Sequence, residues 1–566
     1  MRIRSILCAL GAVGAASAVG GVVATGSPAQ SGDVRTYVVL LDPAASTDQA
    51  TQSIQAAGGT VEQINTAVGV ATVRSANAQF IDDALAKPGV DGAATDRSIG
   101  SVPDALRRHR NDVEVEHGPV APSAASPPVP GPGEPLAAKQ WDMQAIHATV
   151  DGSYREQQGS HDVRVGIIDT GIDASHPDIA PNFDNELSRN FTVDDPAIDG
   201  SCASDPDGSC NDPANVDENE HGTHVAGTIG APINGIGIAG VAPRVDLVNL
   251  RAGQDSGYFF LQPVVNALTY AGDHGIDVVN MSFYIDPWLY NCAANPADSP
   301  QQQQEQRTII TATQRALDYA RGHGVSLVAA AGNENTDLGR PQTDDTSPDY
   351  PSPAAAHHRS VDNMCLSMPT EANGVIGVTS TGPSGRKAYY SNYGIEQADV
   401  AAPGGDRRDF YGTDRYNTPE NRILAPYPES VGRAAGTIAA DGTPTTPLVV
   451  KDTENGRTGY YTYLQGTSMA SPHAVGVVAL IVAQYGKVDR SQGGLTLAPA
   501  TVENILHGSA TDTPCPTPRQ LHYPDPDLGP EYDAYCEGSP RRNGFYGDGV
   551  VDALSAIHAR GRQPGM

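Results

Sequence analysis

Along the chain, hydrophobic and polar positions fall into two regimes. From residue 36 to 99 short apolar stretches alternate with amphipathic ones: "TYVVLLD" (36–42) and "GVATVRS" (69–75) read as strands, while 46–59, closed by a glycine, and 76–89 read as helices. This alternation predicts a self-contained α+β module of roughly 65 residues. From residue 136 the strands become continuously apolar, at 163–169, 245–252, 276–282, 325–333 and 374–381, with helices at 261–275 and 309–324 between them. Strands of that kind joined by crossover helices predict an α/β fold, a parallel sheet flanked by helices on both faces, whose sites form outside the carboxyl ends of the strands. A last run, Ala474 to Ile481, is apolar on every side and predicts a fully buried helix, with Pro472 in its first turn and Ser468 at or just before its start. Long loops are expected at 184–219, 286–307, 335–372 and 404–463. The tract "QQQQEQ" (301–306) suggests no chemistry, and the Pro-rich stretch 117–135 reads as an extended linker.

Length alone, at 566 residues, suggests roughly three or four units. Asp and Glu outnumber Lys and Arg by 66 to 36, a formal net charge of −30. That balance argues against nucleic acid or an anionic membrane as partner and for a highly soluble surface. At the N-terminus, Arg2 and Arg4 precede a Gly- and Ala-rich apolar run ending in small residues near Ala29, the pattern of a secretory signal over 1–29. A membrane anchor is the weaker alternative, because the run is only mildly hydrophobic, and no second segment is expected to span a bilayer. Six cysteines follow it. In an exported protein they suggest three disulfides, with Cys202–Cys210 and Cys515–Cys536 favoured as local pairs and the full connectivity left open. No C-x-x-C pair supports zinc.

Candidate chemistry sits at four places where a strand ends or a helix begins. Asp169 follows an apolar strand, His221 opens a helix in "HGTHVAGTI", Asn333 closes "VAAAGN", and Ser468 lies in "GTSMASP". Alone, each has an ordinary explanation, such as a turn aspartate or an N-cap serine. Together they supply what attack by a hydroxyl needs: a nucleophile, a base to take its proton, a group to orient the base, and donors for an oxyanion.

These four segments, in the order Asp, His, Ser, resemble the subtilisin family of serine endopeptidases, and the resemblance covers roughly 140–560. It implies Ser468 as nucleophile, His221 as general base and then acid, Asp169 as orienter, and the Asn333 amide in the oxyanion hole beside the Ser468 amide hydrogen. It further implies a domain plan: signal 1–29, inhibitory propeptide 30–116 of ferredoxin-like α+β fold, linker 117–135 and catalytic domain 136–566. Self-cleavage is expected in the linker, although "RRHR" (107–110) offers another protease a target. Structural calcium is expected from the family, with Asp178 and Asn234 at the matching positions and oxygen-only ligation suiting that ion. His224, with Asp217, Glu218 and Glu220 nearby, is a conceivable metal group, but a neutral packed histidine is the stronger expectation.

Substrate recognition in the family uses segments corresponding to 255–259 and the stretch after "VVNMS", where a peptide adds as a strand. Phe283, Tyr284 and Ile285 replace the usual Leu and two glycines, so Tyr284 either reshapes the primary pocket or bulges away from it. The resulting expectation is a secreted, monomeric serine endopeptidase acting on proteins or peptides, made as a zymogen with its own propeptide as inhibitor. The rival expectation is a catalytically silent binding or inhibitory protein on the same fold.

Overall fold

The computed structural model describes residues 34–96, 113–115, 120–121, 133–204, 208–349 and 356–559. The expected signal, most of the linker and "RRHR" lie outside them. Seven parallel strands form the central sheet, in the spatial order Val400–Pro403, Val375–Thr381, Ser326–Ala330, Val278–Met281, Arg164–Ile168, Asp246–Arg251 and Arg189–Asn190. Nearly all of their side chains are buried, as a sheet covered on both faces requires. On one face lie the helices Leu261–Asp273 and Pro300–Gly322; on the other, Thr467–Tyr485 runs through the largest core, against Val165, Val328 and Val378.

The Thr467–Tyr485 helix is apolar and long enough to cross a bilayer, yet 89% of its apolar window is buried inside the protein. It starts earlier than the apolar run suggests. Pro472 therefore lies in the second turn, not the first. A proline there has no amide hydrogen for the carbonyl four residues back; the Ser282 hydroxyl donates to that carbonyl, of Ser468, at 3.3 Å.

Residues 35–95 form a four-stranded antiparallel sheet with two helices, in the order β-α-β-β-α-β. Two of its strands, Gly59–Asn65 and Val90–Thr95, are not signalled by the apolar pattern, because polar and small residues occupy them. The module has its own core around Val39, Ile54, Val73 and Phe80. Val38, Leu40 and Val70 on its other face join Leu261, Val264 and Ile309 of the two helices. Polar contacts frame that seam: Asn65 Nδ2 donates to Thr269 Oγ1 at 2.7 Å, Thr95 Oγ1 to Glu305 Oε1 at 3.0 Å, and Arg315 pairs with Asp91 at 2.6 Å.

All four expected loops contain short regular elements, and two depart most from the expectation. The helix over 300–322 begins just before the glutamine tract and runs through it; Ser299 and Gln302 form a capping box and Pro300 opens the first turn. Glu305 and Gln306 are buried by polar partners, which is why the tract hides a helix from an apolar-pattern reading. Within 404–463, the strands Ile423–Pro426, Val449–Glu454 and Arg457–Leu464 build a three-stranded antiparallel sheet.

The pairs Cys202–Cys210 and Cys515–Cys536 are both formed, and Cys292 pairs with Cys365. Beside the last bridge, fully buried Arg359 bonds Asp298 at 3.1 Å, Asp344, the carbonyl of Tyr290 at 2.7 Å and Gln306 Oε1 at 3.0 Å, and stacks over Trp288. One cation thus ties 286–307 to 335–372. Arg359→Ala would strip the guanidinium from two buried carboxylates, leaving Asp298 with His357 beside it, and is expected to cost about 3–5 kcal/mol in chemical denaturation. A loss below about 1 kcal/mol would show that the network carries no stability.

Candidate active site

Asp169 follows the central strand Arg164–Ile168 directly, and its carbonyl accepts from Ala252 N at 3.1 Å and Gly253 N at 3.0 Å, pinning the turn to the neighbouring strand. Its carboxylate is fully buried; Oδ1 accepts from the Thr170 amide at 2.8 Å and from His221 Nδ1 at 2.7 Å. That contact puts the proton of Nδ1 toward Asp169 and leaves Nε2 facing the cleft. His221 is the first residue of its helix. Asp217 secures the helix start by accepting from the amide and hydroxyl of Thr223 at 3.0 and 2.6 Å. Gly222 is required there, since a Cβ would stand 2.1 Å from the carbonyl oxygen of Gly171.

Ser468 is the second residue of the Thr467–Tyr485 helix, where amide hydrogens lack helical partners. Thr467 sets the opposite wall: its amide and hydroxyl both donate to Asn333 Oδ1 at 2.9 Å, and its hydroxyl accepts from Gly332 N at 3.0 Å. With Oδ1 so engaged, Asn333 must turn Nδ2 into the cleft. The four sequence-predicted residues thus converge.

A fifth side chain, not foreseen, lies among them. Glu114 is 2% exposed; Oε1 accepts from Ser468 Oγ at 2.5 Å and from Asn333 Nδ2 at 3.3 Å, while Oε2 stands 3.5 Å from His221 Nε2. Its main chain is held by Gln465, whose amide donates to Glu114 O at 3.3 Å and whose side chain donates to Val113 O at 2.9 Å. Burial alone would lower the His221 pKa, but the carboxylates of Asp169 and Glu114 outweigh it and push it up to about 10. Glu114 itself is raised by burial, against the pull of His221 and Ser468. The only hint of Glu114 in the sequence is the alternation of acids and valines in "DVEVE".

The neighbouring residues are placed as follows. His224 is fully buried, bonds the carbonyl of Ile423 at 3.1 Å, and is lowered by burial to about 3, so it stays neutral. Tyr284 turns its hydroxyl onto Asp349 Oδ2 at 2.6 Å, and Phe283 stacks on Phe259 with ring centroids 4.1 Å apart. Ile285 is buried, with its amide on the Met368 carbonyl. Asp194, Asp212 and Asp255 converge closely enough to suggest a cation. The cation is already present as the Arg251 guanidinium, 2.9 Å from both Asp194 and Asp255 and paired with Asp212. Arg251 Nε also donates to the Thr170 carbonyl at 2.7 Å, bracing the Asp169 turn.

Asp178 and Asn234 do meet, but not as ligands. Asp178 Oδ1 accepts from Asn234 Nδ2 at 3.1 Å; Oδ2 accepts from Ile238 N at 3.0 Å and from Tyr461 OH at 2.8 Å. Asn234 Oδ1 accepts from Ile236 N, which fixes the amide orientation. Burial pushes the Asp178 carboxyl up to about 7. Calcium needs six to eight oxygens, and here protein N–H and O–H groups point at the carboxylate, so this pair does not fit that ion.

Comparison with known proteins identifies a family. The subtilase family profile matches residues 160–529. The chain is similar to subtilisin DY of Bacillus licheniformis, 29% identical over 350 residues, covering 62% of this chain and 84% of that protein. It is 26% identical over 382 residues to thermitase of Thermoactinomyces vulgaris, covering 67% and 94%. In fold it resembles the epidermin leader peptide processing serine protease of Staphylococcus aureus, with a TM-score of 0.61 at 20% identity over 94% of this chain and 100% of that one.

Two outcomes are expected. Tyr461→Phe removes one donor from Asp178 and should lower stability by about 0.5–1.5 kcal/mol in denaturant titration, with no recovery on adding calcium; recovery would place the ion at Asp178. Thr467→Val removes one of the two donors that hold Asn333 Oδ1, leaving the backbone amide, and should lower kcat about tenfold at unchanged KM, whereas an equal fall in affinity would mean that the cleft itself had moved.

Proposed function

The chain belongs to the subtilase family, and from that premise we propose that it is a secreted serine endopeptidase, made as a zymogen, with Ser468, His221, Asp169 and Asn333 in the roles their positions suggest. Subtilases are serine endopeptidases, and the reaction is hydrolysis of a peptide bond.

In the proposed mechanism Ser468 Oγ attacks the substrate carbonyl carbon as its proton passes to His221 Nε2. Asp169 keeps the imidazole in the tautomer that can accept it and stabilises the imidazolium that forms. The new oxyanion takes a hydrogen bond from Asn333 Nδ2 and another from the helix start at Ser468. As the C–N bond breaks, Nε2 returns the proton to the leaving amine. Water, deprotonated by Nε2, then attacks the acyl-enzyme; collapse of the second tetrahedral intermediate frees the acid and restores Ser468. The observation that carries this reading is the 2.7 Å bond from His221 Nδ1 to Asp169, with Nε2 and the Ser468 hydroxyl facing the two oxygens of one carboxyl group.

Export is supported by the pattern of residues 1–29 and by three disulfides, which persist in oxidising surroundings. Zymogen synthesis is supported by the docking of the 35–95 module on the catalytic fold and by Glu114 in the cleft. Proteins or peptides are the proposed substrates and the chain's own N-terminal segment its proposed inhibitor.

A fluorophosphonate probe tests the reading: Ser468 of the processed protein should be labelled, and His221→Ala should abolish labelling. No labelling of processed protein would overturn it. Asn333→Ala should lower kcat by about 100- to 1000-fold with little change in KM, a figure taken from the loss of one such donor in subtilisin. The pH profile has a defined sign. His221 must be neutral to accept a proton, so kcat/KM of the processed enzyme should rise with pH through the imidazole titration. Removing Glu114 takes away a negative charge that raises the imidazole, so the downfield imidazole proton in NMR should titrate at higher pH in the precursor than in the processed enzyme.

A further inference from the structure

A substrate is expected to present a main-chain carbonyl to the nucleophile. What lies there instead is a side chain. The Glu114 carboxyl group takes the hydrogen bond of the Ser468 hydroxyl at 2.5 Å and that of Asn333 Nδ2 at 3.3 Å, so one oxygen lies beside the nucleophile and on one of the two donors proposed for the oxyanion. Its second oxygen lies 3.5 Å from His221 Nε2. We infer that Glu114 is an intramolecular ligand of the catalytic centre, held there as a mimic of the oxyanion, and that the same cleft takes acidic peptides of the form apolar–Glu–apolar as inhibitors that are not cut through that glutamate.

Three features support the inference. The first is chemical: a carboxylate is a poor electrophile and offers no amine to expel, so it fills the centre without being consumed. The second is electrostatic, because the Asn333 amide aimed at the oxyanion is in place before reaction, and a carboxyl oxygen that also accepts from the Ser468 hydroxyl meets it there. The third is the manner of capture. Gln465 holds two consecutive carbonyls, of Val113 and Glu114, and so grips main chain rather than a particular side chain. Sequence preference comes from the flanks: Val113 packs into the cluster containing Tyr389, and Val115 packs against Ile423, Leu464 and Met469. Glu114 therefore touches both working groups: it engages the hydroxyl of Ser468, and its second oxygen faces His221 Nε2, the nitrogen that must accept the proton, adding to the rise that Asp169 already imposes on the imidazole.

The inference rests on the reading of residues 30–116 as an inhibitory segment of a serine peptidase, and the test separates the two. The unprocessed chain, its Glu114→Ala variant and its Glu114→Gln variant are exposed to a fluorophosphonate and resolved by size, with the processed band of each sample reporting whether the centre is competent. The precursor band of Glu114→Ala should be labelled about tenfold or more faster than that of the parent, the effect of one lost charge-assisted hydrogen bond. Labelling of Glu114→Gln should fall between them. A Glu114→Ala precursor as resistant as the parent, beside a labelled processed band, overturns the inference alone; absence of label from every processed band overturns the catalytic reading.

A second measurement avoids any folding defect in the variants. A blocked peptide of residues 112–116, Asp-Val-Glu-Val-Glu, is added to processed parent enzyme. It should inhibit competitively and remain intact, and replacing its central glutamate by alanine should weaken inhibition about tenfold. Equal inhibition by the two peptides, or cleavage of the first, overturns the inference.

Discussion

A fully buried carboxylate with an imidazole against it is the constraint on which the rest of the site depends. Asp169 is placed where water cannot solvate it, at the carboxyl end of the central strand, and an ionised group there is tolerable only if donors surround it. The Thr170 amide and His221 Nδ1 supply them, both to Oδ1. The same bond that makes Asp169 tolerable therefore decides which nitrogen of His221 faces the cleft. Much of the nearby structure holds that geometry: two amides of the neighbouring strand on the Asp169 carbonyl, Arg251 on the Thr170 carbonyl, and Asp217 under the start of the His221 helix.

Buried charge recurs elsewhere with a different outcome. Arg251 pairs with three converging aspartates, and Arg359 joins two long loops, each cation standing where a metal ion could be imagined. Around Asp178, a tyrosine from the sheet over 423–464 performs a similar service with a neutral hydroxyl. In all three places the protein satisfies acidic groups with its own donors, so the family resemblance at Asp178 and Asn234 does not carry the family's calcium ligation with it.

Much of the architecture was legible because buried parallel strands must be continuously apolar. Asp169, His221, Asn333 and Ser468 stood out because each ends such a strand or begins a helix among small residues, and the fold brings them to one cleft. What escaped the sequence is mostly polar burial. Gln306 and Glu305 make a helix look like a loop because their partners, Arg359 and Thr95, lie far away in the chain. Pro472 looked like a helix start because the hydroxyl that replaces its missing donor belongs to Ser282. Glu114 was unreadable for the same reason: nothing local distinguishes it from Glu116, and its role depends on three groups more than a hundred residues away.

The helix that carries Ser468 is also the spine of the largest core, packed on every side. The nucleophile can therefore shift only if the whole interior yields, which makes the chemical step about as durable as the fold itself. Half-buried side chains on the neighbouring loops, such as Tyr258 and Tyr284, bear no comparable load. Sequence drift there can retune what is bound while the reacting atoms stay where they are, so descendants of such a chain would diverge first in diet and last in chemistry.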